Sequence, residues 1–203
     1  MIANEPGVSP TRNLVEDYES DENMATAIDT PHDYGLKVDP NENDRAIEIK
    51  LCSTKRPHMR AFHSAWVSLF MAFFMWFSVS PLLGEIGRTL DLTRGELWVS
   101  SFWSDVATIF ARFIVGPMCD KVGARIPMAI VLCVASIPTA STGTVNSFLG
   151  LCLVRFFTGI AGSSFVMSQY WTSRMFSSDT IGTANSIVAG WGNLGASTAQ
   201  LVM

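Results

Sequence analysis

The sequence predicts an all-α polytopic membrane protein preceded by a disordered acidic tail, and three observations carry that reading. Residues 1 to 49 hold twelve of the eighteen Asp and Glu and only three of the fourteen Lys and Arg. Residues 61 to 203 hold six acids and seven bases in 143 positions. Within that second piece, apolar stretches of roughly 20 to 24 residues recur five times. At a rise of about 1.5 Å per residue, each is long enough to cross a hydrocarbon core of about 30 Å.

Residues 1–55 form the tail. Runs such as "VEDYESDEN" and "KVDPNEND" are rich in acid and poor in large apolar side chains, so they bury too little surface to offset their ordering entropy. No basic start followed by an apolar core and a small-residue cleavage site appears, so a cleaved secretory signal is not expected. The net charge of −4 comes from this tail and carries no information about substrate polarity. Ser9, Thr11, Ser20, Thr26 and Thr30 are phosphorylatable positions of the kind common in such tails.

The membrane domain is read as residues 61–203, with spans at 61–84, 97–119, 126–145, 148–171 and 181–203. The first run, "AWVSLFMAFFMWFSVSPLL", has no polar face at helical spacing, which argues against a soluble amphipathic helix. Pro81, Pro117 and Pro138 are tolerated in lipid where neighbouring helices re-satisfy the backbone. Trp66, Trp98, Tyr170 and Trp171 lie near predicted span ends, as interfacial anchors do. Basic residues collect on one side: Lys50, Lys55, Arg56 and Arg60 before the first span, Lys121 and Arg125 after the second, and Arg174 after the fourth. By the positive-inside rule the amino terminus is cytoplasmic. Met203 falls within an apolar run with no polar flank, so the sequence reads as an amino-terminal piece of a longer chain.

Chemistry in such a chain sits where charge enters the spans: Asp105 and Arg112 in the second, Arg155 in the fourth. Each costs about 2.5 to 3.5 kcal/mol at the bilayer centre, and therefore needs a partner, a water-filled cavity or a substrate. Arg112 lies near mid-span, seven residues before Cys119. Its planar fork of donors matches the oxygens of a flat anion. A salt bridge from Arg112 to Asp105 is the structural alternative, although seven residues of helix separate them by about 10 Å. Arg155 is expected to pair helices, and Asp105 either to pair helices or to respond to protons. The four cysteines, Cys52, Cys119, Cys133 and Cys152, have no metal-ligand or disulfide spacing. No nucleophile, base and orienter set or metal cluster appears, so no enzyme activity, cofactor or metal is expected, nor a nucleic-acid partner.

Between the second and third spans, "GPMCDKVGARIP" presents Gly116, Asp120, Gly123 and Arg125 as G-x-x-x-D-x-x-G-x-R. The glycines permit a tight turn with close helix approach, and the charges can lock or release helix ends. The pattern resembles the loop of the major facilitator superfamily, whose members carry small solutes by alternating access between two six-helix halves. Four further stretches narrow the resemblance: "RPHMRAFHSAW", "ARFIVGPMCDKVGAR", "QYWTSRMF" and "AGWGNLGASTAQLV". Together they resemble the nitrate/nitrite porters, and within them the eukaryotic high-affinity nitrate transporters.

That resemblance implies proton-coupled import of nitrate or nitrite across the plasma membrane, with a single-span accessory protein as a partner in land-plant relatives. It places the anion-gripping arginine at Arg112, the nitrate signature at Gly190, Gly192 and Gly195 with Asn193 lining the site, and an aromatic wall at Phe165. Land-plant members carry a small or apolar residue where this chain has Asp105. Carriage of another small anion, and a nitrate sensor built on a transporter fold, are the alternatives. Gly190 to Gly195 also spell G-x-G-x-x-G, but a dinucleotide loop follows a strand and precedes an acid by about twenty residues. Here the glycines lie in a charge-free apolar run, and they are read as helix surface cut back to backbone. On that reading Gly182, Ser186 and Gly190 form one close-packing stripe, and Gly195 with Ala199 a second.

Overall fold

The computed structural model describes residues 35–203. The first 34 residues of the predicted tail, including its phosphorylatable positions, lie outside the described residues. A two-stranded antiparallel hairpin comes first, β1 (Val38–Asp39) and β2 (Arg45–Ala46). Six α-helices follow: α1 (His58–Thr89), α2 (Arg94–Val122), α3 (Arg125–Ala140), α4 (Phe148–Gly159), α5 (Ser164–Met175) and α6 (Ile181–Val202). A 3-10 turn at Ile160–Ser163 joins α4 to α5.

Helix boundaries follow local chemistry. Thr93 opens α2 with a capping box: its hydroxyl accepts from the Glu96 N–H, and the Glu96 carboxylate accepts from the Thr93 N–H at 2.8 Å. Ser147 caps α4 by accepting from the Gly150 N–H at 3.2 Å. Gly123 ends α2 at φ 77° and ψ 165°, a conformation open essentially to glycine alone, and its N–H donates to the Cys119 carbonyl.

Three stretches are long and apolar enough to cross a membrane: His58–Thr89, Arg125–Thr144 and the α4–α5 unit Phe148–Met175. The predicted spans at 97–119 and 181–203 are the helices α2 and α6. They fall below the same mark because α2 carries charges along its length, and α6 is rich in glycine, serine and threonine.

The helices are inside out relative to a water-soluble bundle. Buried positions are largely Ala, Ser, Thr and Gly, among them Ala72, Ala107, Ala135, Ser104, Ser168 and Thr172. Exposed positions include Phe110, Phe113, Ile114, Ile137 and Leu149, with Phe113 at 76%. Small residues let backbones approach where lipid removes the hydrophobic drive for burial, and large apolar side chains face the acyl chains. The chain is a multi-pass membrane protein.

Three departures from the sequence reading have physical causes. The fourth span is interrupted at Ile160–Ser163. A Cβ on Gly159 would lie 2.2 Å from the Ser104 carbonyl oxygen of α2, and one on Gly162 2.8 Å from the Thr108 side chain. The tight crossing and the local rewinding coincide. Second, part of the segment read as tail, residues 38–46, forms a docked hairpin. Ala46 is fully buried, the Ser177 N–H donates to the Ala46 carbonyl, and the Glu42 carboxylate accepts from the Ser178 N–H at 2.9 Å and hydroxyl at 2.6 Å. The hairpin thereby clamps the α5–α6 connection, and the Thr180 hydroxyl adds a bond to the Ile47 carbonyl. Third, Gly116 is not part of the turn after α2. It lies inside the helix, where a Cβ would meet nothing within 4 Å.

Candidate functional site

The α2–α4 crossing builds the surroundings of Arg112 one helical turn at a time. The Ser104 hydroxyl accepts from the Trp76 indole N–H of α1 at 3.0 Å. One turn on, the Thr108 hydroxyl reaches the Gly159 carbonyl at 2.6 Å. Another turn on, Arg112 Nη2 donates to the Gly162 carbonyl at 3.4 Å. Backbone carbonyls of the α4 C-terminus and the 3-10 turn thus satisfy α2 donors, and they hold Arg112 ten residues short of the helix end, about 15 Å by helical rise.

Among the described residues, only that one long hydrogen bond holds the guanidinium. Arg112 is exposed and forms no ion pair among the described residues. Its remaining N–H donors are free to take a ligand. The alternative salt bridge to Asp105 is not formed, as the rise along the helix dictates. Asp105 and Arg112 do share one exposed face of α2, together with Phe102 and Ile109.

Arg155 has the opposite environment. It is 5% exposed, and its Nη2 donates to the Ser101 hydroxyl of α2 at 3.2 Å. Its Nε and Nη1 make no hydrogen bond among the described residues. The side chain therefore joins α4 to α2, as helix pairing requires.

The glycine signature divides between two faces of α6. Gly192 and Gly195 are buried against α1: a Cβ on Gly192 would lie 2.8 Å from Leu69, and one on Gly195 2.4 Å from the Phe70 carbonyl oxygen. Gly190 and Gly182 are exposed, with nothing within 4 Å of an added Cβ. The packing stripe is therefore Ala184, Val188, Gly192, Gly195 and Ala199, and the predicted stripe of Gly182, Ser186 and Gly190 is corrected. Trp191 stacks on Trp66 with ring centroids 4.6 Å apart, so the tryptophan inside the motif fixes α6 to α1.

Asn193 is exposed, and its carboxamide makes no hydrogen bond among the described residues. Phe165, expected as an aromatic wall of the cavity, is half-buried at the start of α5. It packs on the cluster of Phe62, Leu69 and Val188 between α1 and α6. Arg112 on α2 and Asn193 on α6 are unjoined by any hydrogen bond among the described residues. Neither Asp120 nor Arg125 forms an ion pair there.

Two groupings escaped the sequence reading. The Trp76, Ser104 and Thr108 ladder was hidden because serine and threonine inside an apolar run do not show which neighbour they reach. Gln169 and Asn185 form the other: Gln169 Nε2 donates to the Asn185 carbonyl at 3.5 Å, and Asn185 Nδ2 to the Ser173 hydroxyl at 3.3 Å. A half-buried amide side chain on each of two adjacent helices, a polar residue within an apolar stretch of sequence, was the available signal.

The profile of the Major Facilitator Superfamily matches residues 65–203. The chain is 40% identical to High affinity nitrate transporter 2.7 of Arabidopsis thaliana over 85% of its own length and 35% of the relative's. It is 41% identical to High-affinity nitrate transporter 2.3 of Oryza sativa subsp. japonica, over 81% and 32%. To the Nitrate/nitrite transporter NrtP of Nostoc punctiforme it is 33% identical, over 71% and 29%. It thus spans about a third of the length of the relatives it matches. With apolar helices packed through small residues, a G-x-x-x-D-x-x-G-x-R motif running from the end of α2 into the start of α3 and a profile match over most of its length, the chain belongs to the major facilitator superfamily.

Proposed function

We propose that the full-length protein imports nitrate, and nitrite with it, by alternating access across the plasma membrane, coupled to inward movement of protons. The observation that carries this reading is Arg112: a guanidinium set about 15 Å from its helix end by rise, exposed, and held by one long bond to Gly162. The names of the similar proteins supply the substrate class. A flat anion with three equivalent oxygens takes two parallel N–H donors from such a fork. Asn193, whose carboxamide is unpaired among the described residues, adds a neutral donor from α6 once the helices close around the anion. An environment of few charges suits a weakly hydrated anion, since the donors replace water without trapping the ligand.

Asp105 and Arg112 share one face of α2, so a carboxylate near the anion path can sense protonation. The cytoplasmic placement of the amino terminus rests on the clustering of basic helix ends. Arg56 and Arg60 at the start of α1, Arg125 at the start of α3 and Trp171 near the end of α5 line one cleft at one end of the bundle. A single-span accessory protein is proposed as a partner.

The test is nitrate flux into vesicles containing the purified full-length protein, with and without an inward proton gradient. Saturable uptake that rises with the gradient, and that unlabelled nitrate displaces better than small organic acids, is the expected result. Equal displacement by an organic acid would assign another anion. Nitrate binding without flux would make the protein a sensor.

A further inference from the structure

The cleft at the basic end of the bundle has a chemistry of its own. It encloses about 380 Å³, and three guanidinium groups line it: Arg56 and Arg60 from the start of α1 and Arg125 from the start of α3. Ser64 adds a hydroxyl, and Trp171 and Met175 form an apolar wall. No carboxylate of the described residues lines it. None of the three arginines has an ion-pair partner among the described residues, although Lys50–Glu48 and Arg88–Glu85 pairs form elsewhere. Three cations converge without a counter-charge among the described residues.

The helix termini add to this potential. Both α1 and α3 begin at the cleft, with Pro57 and Ala124 at their N-caps; neither start has a side-chain cap, and neither first turn holds an acid. Each terminus leaves partial positive charge directed at the same space. The cleft also lies where α1 and α3 begin and α5 ends, and Trp171 lines it, as tryptophans do at membrane interfaces.

We propose that this cleft binds the phosphate of an anionic phospholipid headgroup. The arginines and Ser64 bind the phosphate oxygens, and Trp171 and Met175 seat the glycerol and the upper acyl chain. The apolar wall is what selects a lipid over a free anion. This site is separate from Arg112 and stands whether or not nitrate is the substrate.

The experiment follows the thermal unfolding midpoint of detergent-solubilised full-length protein, titrated with short-chain phosphatidic acid. Short-chain phosphatidylcholine, inorganic phosphate and nitrate serve as comparison arms. Phosphatidic acid is expected to raise the midpoint saturably, with the other three ineffective at the same concentration. Each Arg→Gln change at Arg56, Arg60 or Arg125 should weaken the apparent affinity about fivefold, and all three together on the order of a hundredfold. The triple Arg→Lys variant should keep most of the effect, and Arg88→Gln at the opposite end of α1 all of it. If the triple Gln variant does not fold, the single Arg60→Gln variant decides. Equal protection by inorganic phosphate or nitrate would overturn the lipid assignment. So would protection by phosphatidylcholine, no shift with any ligand, or unchanged affinity in the Gln variants.

Discussion

Gly159 and Gly195 each bring a helix backbone against a carbonyl of the next helix, at 2.2 and 2.4 Å from where a Cβ would stand. Neither neighbour can swing aside as a side-chain tip can, so the crossing itself must open. Gly159→Ala and Gly195→Ala should each cost about 1 to 3 kcal/mol, seen as a lowered unfolding midpoint of the full-length protein in detergent. Gly190→Ala should stay within about 0.5 kcal/mol, because its Cβ meets open space. Single charges were readable from sequence, since a charge within an apolar run marks itself. What Arg155 bonds was not, because Ser101 gives no signal of its role until α2 and α4 are packed together. The fate of the glycines was likewise hidden: their spacing announces close approach, but only the helix phase decides that Gly192 and Gly195 face α1 while Gly190 does not. Asp105→Asn tests whether the second charge of the α2 face belongs to a proton path. If it does, the pH dependence of nitrate uptake should flatten, and an unchanged profile would leave Asp105 outside it.

Among the elements, long helices were legible because each apolar run exceeds the length that any other structure would require. The hairpin at β1–β2 was not legible, since its residues are acidic and its stability comes from contacts with a loop more than 130 positions away. Two hydrogen bonds from Ser178 hold the Glu42 carboxyl below its usual value of 4.5. A depressed folded-state pKa stabilises the docked hairpin above the unfolded value and ceases to do so as pH falls through the folded one. Amide protection factors at Phe176–Thr180 should therefore be full at neutral pH and fall below about pH 4.5. In Glu42→Gln they should be reduced already at neutral pH and vary little with acid. The break at Ile160–Ser163 lay beyond the hydropathy pattern for a related reason. An apolar run reports residence in lipid, whereas the 3-10 turn answers to the contacts of Gly159 and Gly162 with α2.

For the whole molecule, the inversion of small residues inward and large apolar residues outward fits a bundle whose interior is organised by backbone approach. Orientation is the claim made at this scale. Cys52 is an exposed thiol on the segment before α1, at the end of the bundle assigned to the cytoplasm. A membrane-impermeant thiol reagent should leave it unlabelled in intact cells and label it in inside-out vesicles; the reverse pattern would turn the topology over. The central claim is that Arg112 grips the transported anion through its paired donors. Nitrate uptake by vesicles containing full-length Arg112→Lys protein tests it most directly. With the charge kept and the fork removed, the half-saturating nitrate concentration should rise about tenfold or more, the equivalent of about 1.4 kcal/mol. Wild-type affinity in that variant would contradict the account.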